Sequence, residues 1–284
     1  MKVLRVLGIA AAIFLTVAVF TVVYVFWDSE RVVVSEYTII NERLPASFNG
    51  FTIAFISDSH DRADVEKIVS ITESIEPDLI LLGGDMINMD TTDYANFECL
   101  CTKLRALCDV YYAYGNHELW SIDGEQITAG DVARKALVNV LNDETAEIVR
   151  GEDRIVVAGY RDLQYSDFTM TQQFYKMEEK LEKLQKACGD DFTVLLFHRA
   201  NYFDTVAKYA FDVVLAGHTH GGYINLPKIR DYILMQHIGN TKYVRGEYAA
   251  GSSIMLVSGG LGQDDAFPRV FNTPEILKVV LRGE

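Results

Sequence analysis

Read for its alternation of apolar and polar positions, the chain falls into three unequal parts. Residues 6–27 contain no charged side chain, and Lys2 and Arg5 precede them. As a helix these 22 residues would reach roughly 33 Å, enough to cross a hydrocarbon core of about 30 Å. The exit from this stretch is aromatic and then acidic (Phe26, Trp27, Asp28, Glu30), unlike the small-residue exit of a cleaved leader. An uncleaved anchor is therefore expected, with residues 1–5 in the cytoplasm and everything after Trp27 outside. The middle part alternates short apolar runs with amphipathic stretches. Runs at 51–57, 78–82, 110–114, 154–159, 192–197 and 211–216 read as buried strands. Stretches 65–75, 95–107, 131–141 and 169–187 carry helical spacing. In the third part, residues 223–251 read as turn-rich β structure, followed by strands at 254–258 and 276–281. A further strand is expected at 32–40, with turns at Leu44-Pro45 and Asn49-Gly50. The division that follows is a cytoplasmic terminus (1–5), an anchor (6–27), a juxtamembrane segment (28–47) and one layered α/β domain (48–284).

Composition narrows the possibilities. With 284 residues and a formal charge of −14, the chain lacks the basic face of a non-specific nucleic-acid binder, and no nucleic-acid partner is expected. The four cysteines (Cys99, Cys101, Cys108, Cys188) show neither a CxxC spacing nor a disulfide framework. The histidines are more telling. Five of six stand just after an apolar run: His60, His117, His198, and the pair His218 and His220 between Gly217 and Gly221-Gly222. Asp58 and Asp85 occupy the same kind of position. Ligands of open α/β sheets bind beyond the carboxyl ends of the strands, so these groups are expected to converge there. His237 alone falls outside the pattern.

The ordered blocks Asp58-x-His60, Gly84-Asp85, Gly115-Asn116-His117-Glu118, His198 and Gly217-His218-x-His220 resemble the calcineurin-like metallophosphoesterases, especially their membrane-anchored bacterial branch. The resemblance spans residues 48–283 and implies a four-layer α/β/β/α sandwich. It further implies two divalent ions, one held by Asp58, His60 and His220, the other by Asn116, His198 and His218, with Asp85 between them. Oxygen and nitrogen donors without thiolate favour Mn, Fe or Zn. Such a pair of ions clamps a phosphate and makes water acidic enough to attack it. His117 would then serve the leaving oxygen as general acid. Relatives carry an aspartate three residues after the bridging one to orient that histidine; this chain has Asn88 there. Other departures are Ala200 for a common proline, Tyr223 for a common glutamine, and Gly259 for a common arginine. Tyr160, Tyr165, Phe168, Tyr223, Tyr232, Ile233, Leu234 and Met235 supply apolar surface near the site, most of it expected to pack.

The expected activity is hydrolysis of a phosphoester, phosphodiester or pyrophosphate bond, on a phosphate-bearing small molecule or a lipid head group beside the anchor. Protein or nucleotide phosphatase is the alternative, and a catalytically silent metal-binding scaffold a more distant one, since every implied ligand is present.

Overall fold

A computed structural model describes residues 2–120, 128–163, 170–239, 241–262 and 269–284. Helix α1 (Lys2–Glu30) comes first, and most of it stands clear of the body. Strand β1 (Val33–Ile40) follows, then β2 (Thr52–Ile56), α2 (Val65–Ser74), β3 (Leu79–Leu82), α3 (Ala95–Arg105) and β4 (Asp109–Tyr112). The short α4 (Asn116–Leu119) precedes α5 (Thr128–Lys135), β5 (Asn139–Val140), β6 (Glu144–Arg150), β7 (Asp153–Gly159) and α6 (Met170–Cys188). The remainder is β8 (Thr193–Arg199), α7 (Phe203–Val206), β9 (Val213–Gly217), α8 (Pro227–His237), β10 (Gly246–Ala250), β11 (Ser253–Val257) and β12 (Glu275–Arg282).

Among the described residues the strands form two six-stranded sheets, ordered β1-β12-β2-β3-β4-β5 and β10-β11-β9-β8-β7-β6. Period-two alternation explains why the central runs are apolar throughout. On β2, Ile53 and Phe55 face the other sheet, while Ala54 and Ile56 face α2 and α3. On β9, Val213 and Leu215 point between the sheets, and Val214 and Ala216 point to the layer of α6 and α7. Both faces of each strand are buried, so neither face admits a polar position. Each fully buried Leu, Ile, Val or Phe of these layers contributes roughly 1.5–3 kcal/mol. The result is the α/β/β/α sandwich that the family resemblance implied.

Two expectations are corrected. The stretch 131–141 is not one helix: α5 stops at Lys135, Leu137 turns left-handed (φ 63°), and Asn139 and Val140 join β4 as a strand. Two β-branched residues in alternation, Val138 and Val140, favour the pleated sheet over a further helical turn. Within 223–251, the segment Pro227–His237 is helical. Pro227 occupies its first turn, where a missing N–H costs nothing.

The segment after the apolar stretch is tied into the body. All eight residues of β1 pair in parallel with β12, Val33 with Glu275 through Ile40 with Arg282. Asp28 is buried and accepts a hydrogen bond from Thr273 Oγ1 at 2.7 Å. Ser29 Oγ donates to the Arg269 carbonyl at 3.2 Å, Arg62 Nη2 donates to the Glu30 carbonyl at 3.0 Å, and Lys67 donates to that same carbonyl. Tyr24 meets Phe271, ring centroids 5.8 Å apart. The end of α1 is thus docked onto the body at the strand ends.

Candidate metal centre

Strands β2, β3, β4 and β5 run parallel, as do β7, β8, β9 and β11. Their carboxyl ends bring the sequence-identified groups together from both sheets. Among the described residues three clusters of donor atoms result: Asp58 with His60 and His220, His60 with Asp85 and His117, and Asp85 with His198 and His218. Asp58, His60, Asp85, Asn116, His198 and His220 are buried.

The turns that aim these groups have unusual backbones. Asp58, His60, Asp61, Asp85, His218, His220 and Tyr223 all have left-handed φ, between 48° and 71°. Such conformations are costly for residues with a Cβ and persist only where the surroundings enforce them. Close approach enforces them here. A Cβ on Gly84 would collide with the backbone of Gly115, and one on Gly217 would overlap the carboxylate of Asp58. Glu118 completes the clamp. Its buried carboxylate accepts from the backbone N–H of Gly115 (2.8 Å), Asp85 (2.9 Å) and Met86 (2.7 Å), joining the loops after β3 and β4. Patterning alone assigns Glu118 no role, although a carboxylate three residues after a loop glycine is the spacing of a capping residue.

The histidines are held in defined tautomers. The Gly83 carbonyl can only accept, so His198 Nδ1 donates to it at 2.8 Å, leaving Nε2 to face Asp85 Oδ2 at 3.0 Å. His60 Nδ1 lies 2.8 Å from Asn88 Oδ1, and its Nε2 faces Nε2 of His220 at 3.2 Å. His220 Nε2 is also 3.7 Å from Asp58 Oδ1. Asn88 therefore orients His60 rather than His117: the left-handed turn at His60 puts its ring over the loop that carries Asn88. His117 instead has Nε2 4.0 Å from Asp85 Oδ2 and packs edge-on against His60 with centroids 4.6 Å apart. Its Nδ1 has no hydrogen-bond partner among the described residues.

Charge follows burial. Burial holds His60 below the ordinary imidazole range and drives His218 and His220 well below it, with Arg199 adding at His218 and His60 adding at His220. Burial alone would lower His198 too, but the Asp85 and Asp58 carboxylates override it and push it up to about 10. Asp85 moves the opposite way. Burial would raise it, yet His198 and His117 hold it well below the usual carboxylate range. His60, His218 and His220 are thus in the neutral state that binds metal and Asp85 in the ionised one, while His198 must give up its proton to do so. The donor set fits a divalent ion on a further ground. Asn116 Oδ1 is buried without a hydrogen-bond partner among the described residues, a costly arrangement unless a ligand completes it.

The sequence pattern does not single out Arg199. It follows His198 directly, is buried, and ties Nε to Asp162 Oδ2 at 2.5 Å while Nη1 sits 3.1 Å from His218 Nε2. A guanidinium at the end of an otherwise apolar strand was the available signal. Of the apolar residues expected nearby, Tyr160, Tyr223, Ile233 and Leu234 are buried, and Tyr232 and Met235 are exposed. Tyr223 stacks on His220 at 5.0 Å. Tyr165 and Phe168 lie outside the described residues.

Comparison with known proteins agrees with this geometry. The profile of the calcineurin-like phosphoesterase family matches residues 51–222. An uncharacterized metallophosphoesterase of Aquifex aeolicus is 29% identical over 265 residues, covering 88% of this chain and 92% of that protein. The uncharacterized metallophosphoesterase YkuE of Bacillus subtilis is 26% identical over 265 residues, covering 91% and 88%. The chain spans about half the length of its animal relatives: 52% of one from Caenorhabditis elegans, and 55% of a Bos taurus transmembrane protein with metallophosphoesterase domain, 25% identical over 85% of this chain. Among solved structures, TT1561 of Thermus thermophilus shares the fold, with a TM-score of 0.51 and 15% identity over 75% of this chain and 91% of that one. A strand-end centre of buried aspartates and histidines, on a sandwich that the family profile matches through Gly222, means that the chain belongs to the calcineurin-like phosphoesterases and is a metal-dependent phosphoesterase.

Proposed function

We propose that this chain is a membrane-tethered phosphohydrolase that works with two divalent ions. Asp58, His60 and His220 would hold one ion, Asn116, His198 and His218 the other, and Asp85 both. The observation that carries this reading is that a middle cluster links the outer two, sharing His60 with one and the buried Asp85 with the other, beside an Asn116 oxygen without a partner among the described residues. Mn, Fe or Zn suits these donors. Bound there, the ions supply polarisation of the phosphoryl group and a water acidic enough to react near neutral pH.

The protein's own groups do the rest. His117, partly exposed and close to Asp85, donates a proton to the departing oxygen. Glu118 fixes the two loops so that Asp85 and Asn116 stay in register. Arg199 supplies a fixed positive charge beside His218, suited to a phosphate oxygen. Residues 6–27 serve as the anchor, with Lys2 and Arg5 in the cytoplasm and the body outside. Residues 28–47 form the juxtamembrane segment of a catalytic body comprising 48–284. Docking of the anchor's end at the strand ends supports a lipid head group carrying a diester or pyrophosphate as substrate.

The deciding experiment loads the purified full chain with Mn, Fe or Zn in turn and measures bound metal and hydrolysis of phosphomonoesters, diesters and lipid pyrophosphates. Close to two ions per chain and chelator-sensitive hydrolysis are expected. One ion per chain would end the two-ion reading, and full activity after exhaustive chelation would end the metal-dependent one. Protease added to spheroplasts should digest the body; protection until lysis would reverse the topology.

A further inference from the structure

A cavity of about 340 Å³ lies between the end of α1 and the candidate metal centre, lined in part by Ser29, Glu30, His60, Arg62, Gly262 and Arg269. Its two guanidinium groups differ in how far they are occupied. Arg62 is taken up by the protein. Nε and Nη2 meet the two oxygens of Asp64 at 2.5 and 3.0 Å, Nη1 donates to the Leu261 carbonyl at 2.7 Å, and Nη2 donates to the Glu30 carbonyl. Arg269 is not. Nε donates to the Gly262 carbonyl at 2.7 Å and Nη2 donates to the same oxygen. Nη1, however, is buried with no hydrogen-bond partner among the described residues. Only 2% of this residue is exposed. A guanidinium hydrogen buried without an acceptor is costly and calls for one.

The neighbouring charges leave that demand unmet. Asp64 is already paired with Arg62 and lies 3.7 Å from Lys67 Nζ. Glu30 is exposed. Arg62 and Arg245 act on Arg269 as like charges, and Asp58 and Glu275 act on it as opposite charges; Glu275 is itself paired with Arg245. Arg269 in turn bears on His220. The cavity is therefore an annex of the metal centre that holds an unsatisfied guanidinium donor, with the end of α1 as its far wall.

We propose that this cavity is an oxyanion subsite in which Arg269 Nη1 donates to a second phosphate-class group of the substrate, one that is not cleaved. The inference rests on the phosphohydrolase reading above and narrows it to substrates with two phosphate-type groups, such as a pyrophosphate. It also places a fixed cation near the centre from a position other than 259, where this chain has glycine. A lipid diphosphate and a soluble diphosphate both carry the required chemistry.

The test separates this subsite from catalysis. The full chain in detergent, stripped of divalent ions by chelation, is titrated calorimetrically with inorganic phosphate. One binding event is expected. Ala63→Glu puts a carboxylate at the exposed rim of the cavity, so phosphate should bind about tenfold more weakly, whereas Ala63→Gln should bind as the parent does. Arg269→Lys should bind with reduced affinity and Arg269→Gln not at all, with melting temperatures recorded for both. No binding by the parent, or equal affinity in the Glu and Gln variants of Ala63, overturns the proposal. Because the readout needs neither metal nor turnover, a chain that binds phosphate but hydrolyses nothing would sink the phosphohydrolase reading instead. Repeating the titration in phosphatidylcholine nanodiscs with and without phosphatidic acid identifies the source. Loss of the phosphate signal with phosphatidic acid assigns the subsite to a lipid head group. An unchanged signal, with inorganic pyrophosphate binding more tightly than phosphate, assigns it to a soluble diphosphate.

Discussion

The two outer donor clusters, linked through His60 and Asp85, are supported in opposite ways. On the His60 side the supports are neutral: Asn88 holds Nδ1 of His60, and Tyr223 stacks on His220. These contacts leave imidazole nitrogens converging at 3.2 Å. On the other side the supports carry charge. His198 is paired with Asp85 at 3.0 Å and holds its proton up to about 10, and Arg199 occupies the Nε2 face of His218. An ion entering the first cluster meets ready lone pairs. One entering the second must displace a proton and approach a guanidinium. Two clusters built from the same residue types are thus unequal before any ion arrives, because what surrounds a donor group sets its affinity as much as the group does.

Removing the joint should have the largest effect. Asp85→Asn takes away the carboxylate proposed to serve both ions, and both should be lost with a fall in kcat of about 10⁴-fold, the equivalent of several kcal/mol of metal stabilisation. Retention of one ion, seen by elemental analysis, would show that the clusters do not depend on a common carboxylate. The next effect belongs to neither cluster. His117→Ala should lower kcat by about 10²–10⁴-fold with metal content intact, and by less for nitrophenyl esters, whose leaving groups need little protonation. Loss of an ion would instead make His117 a ligand.

A pair of variants with opposite signs tests the inequality of the two sides. Asn88→Ala should weaken the first ion by about 10–100-fold, as expected for a lost support of a ligating histidine, and spare the second. Arg199→Met removes a cation and frees His218, so the second ion should bind more tightly while substrate KM rises. If both variants weakened metal binding equally, the contrast between the two sides would fail. The smallest effect is expected at Tyr223→Leu, where losing a ring contact of roughly 0.5–1.5 kcal/mol should weaken the first ion by at most about tenfold. Stepwise metal titration followed by calorimetry reads both ions.

Much of this centre could be read from the chain because strands buried on both faces announce themselves as unbroken apolar runs, and polar residues at their ends stand out. His60, His117, His198, His218 and His220 are legible in that way, as is a layered α/β domain; the four-layer sandwich is implied by the resemblance. Helix α8 is not, since only Ile233 and Leu234 are buried along it and two positions make too thin a stripe to show a helical period. The partner of Asn88 is unreadable for a different reason. Its choice of His60 over His117 is set by the left-handed turn at His60, and backbone angles of that kind leave no compositional trace outside glycine. Arg199 and Arg269 escape notice because an isolated arginine usually marks solvent; only their burial and partners distinguish them.

The position of β12 carries a consequence for how the molecule is made. It lies between β1 and β2, parallel to the one and antiparallel to the other, so residues 275–282 fill a gap between strands that begin at Val33 and Thr52. Until that segment has been synthesised, both neighbouring strands have a bare edge, and the end of α1 lacks Thr273 and the Arg269 carbonyl to bind. Closure of the first sheet is therefore a late, long-range event, of the kind that slows folding and leaves edges open to wrong pairing in the meantime. A chain stalled on the ribosome before residue 275 would hold all of the histidines discussed above and still lack the strand that joins the first sheet to the segment following α1.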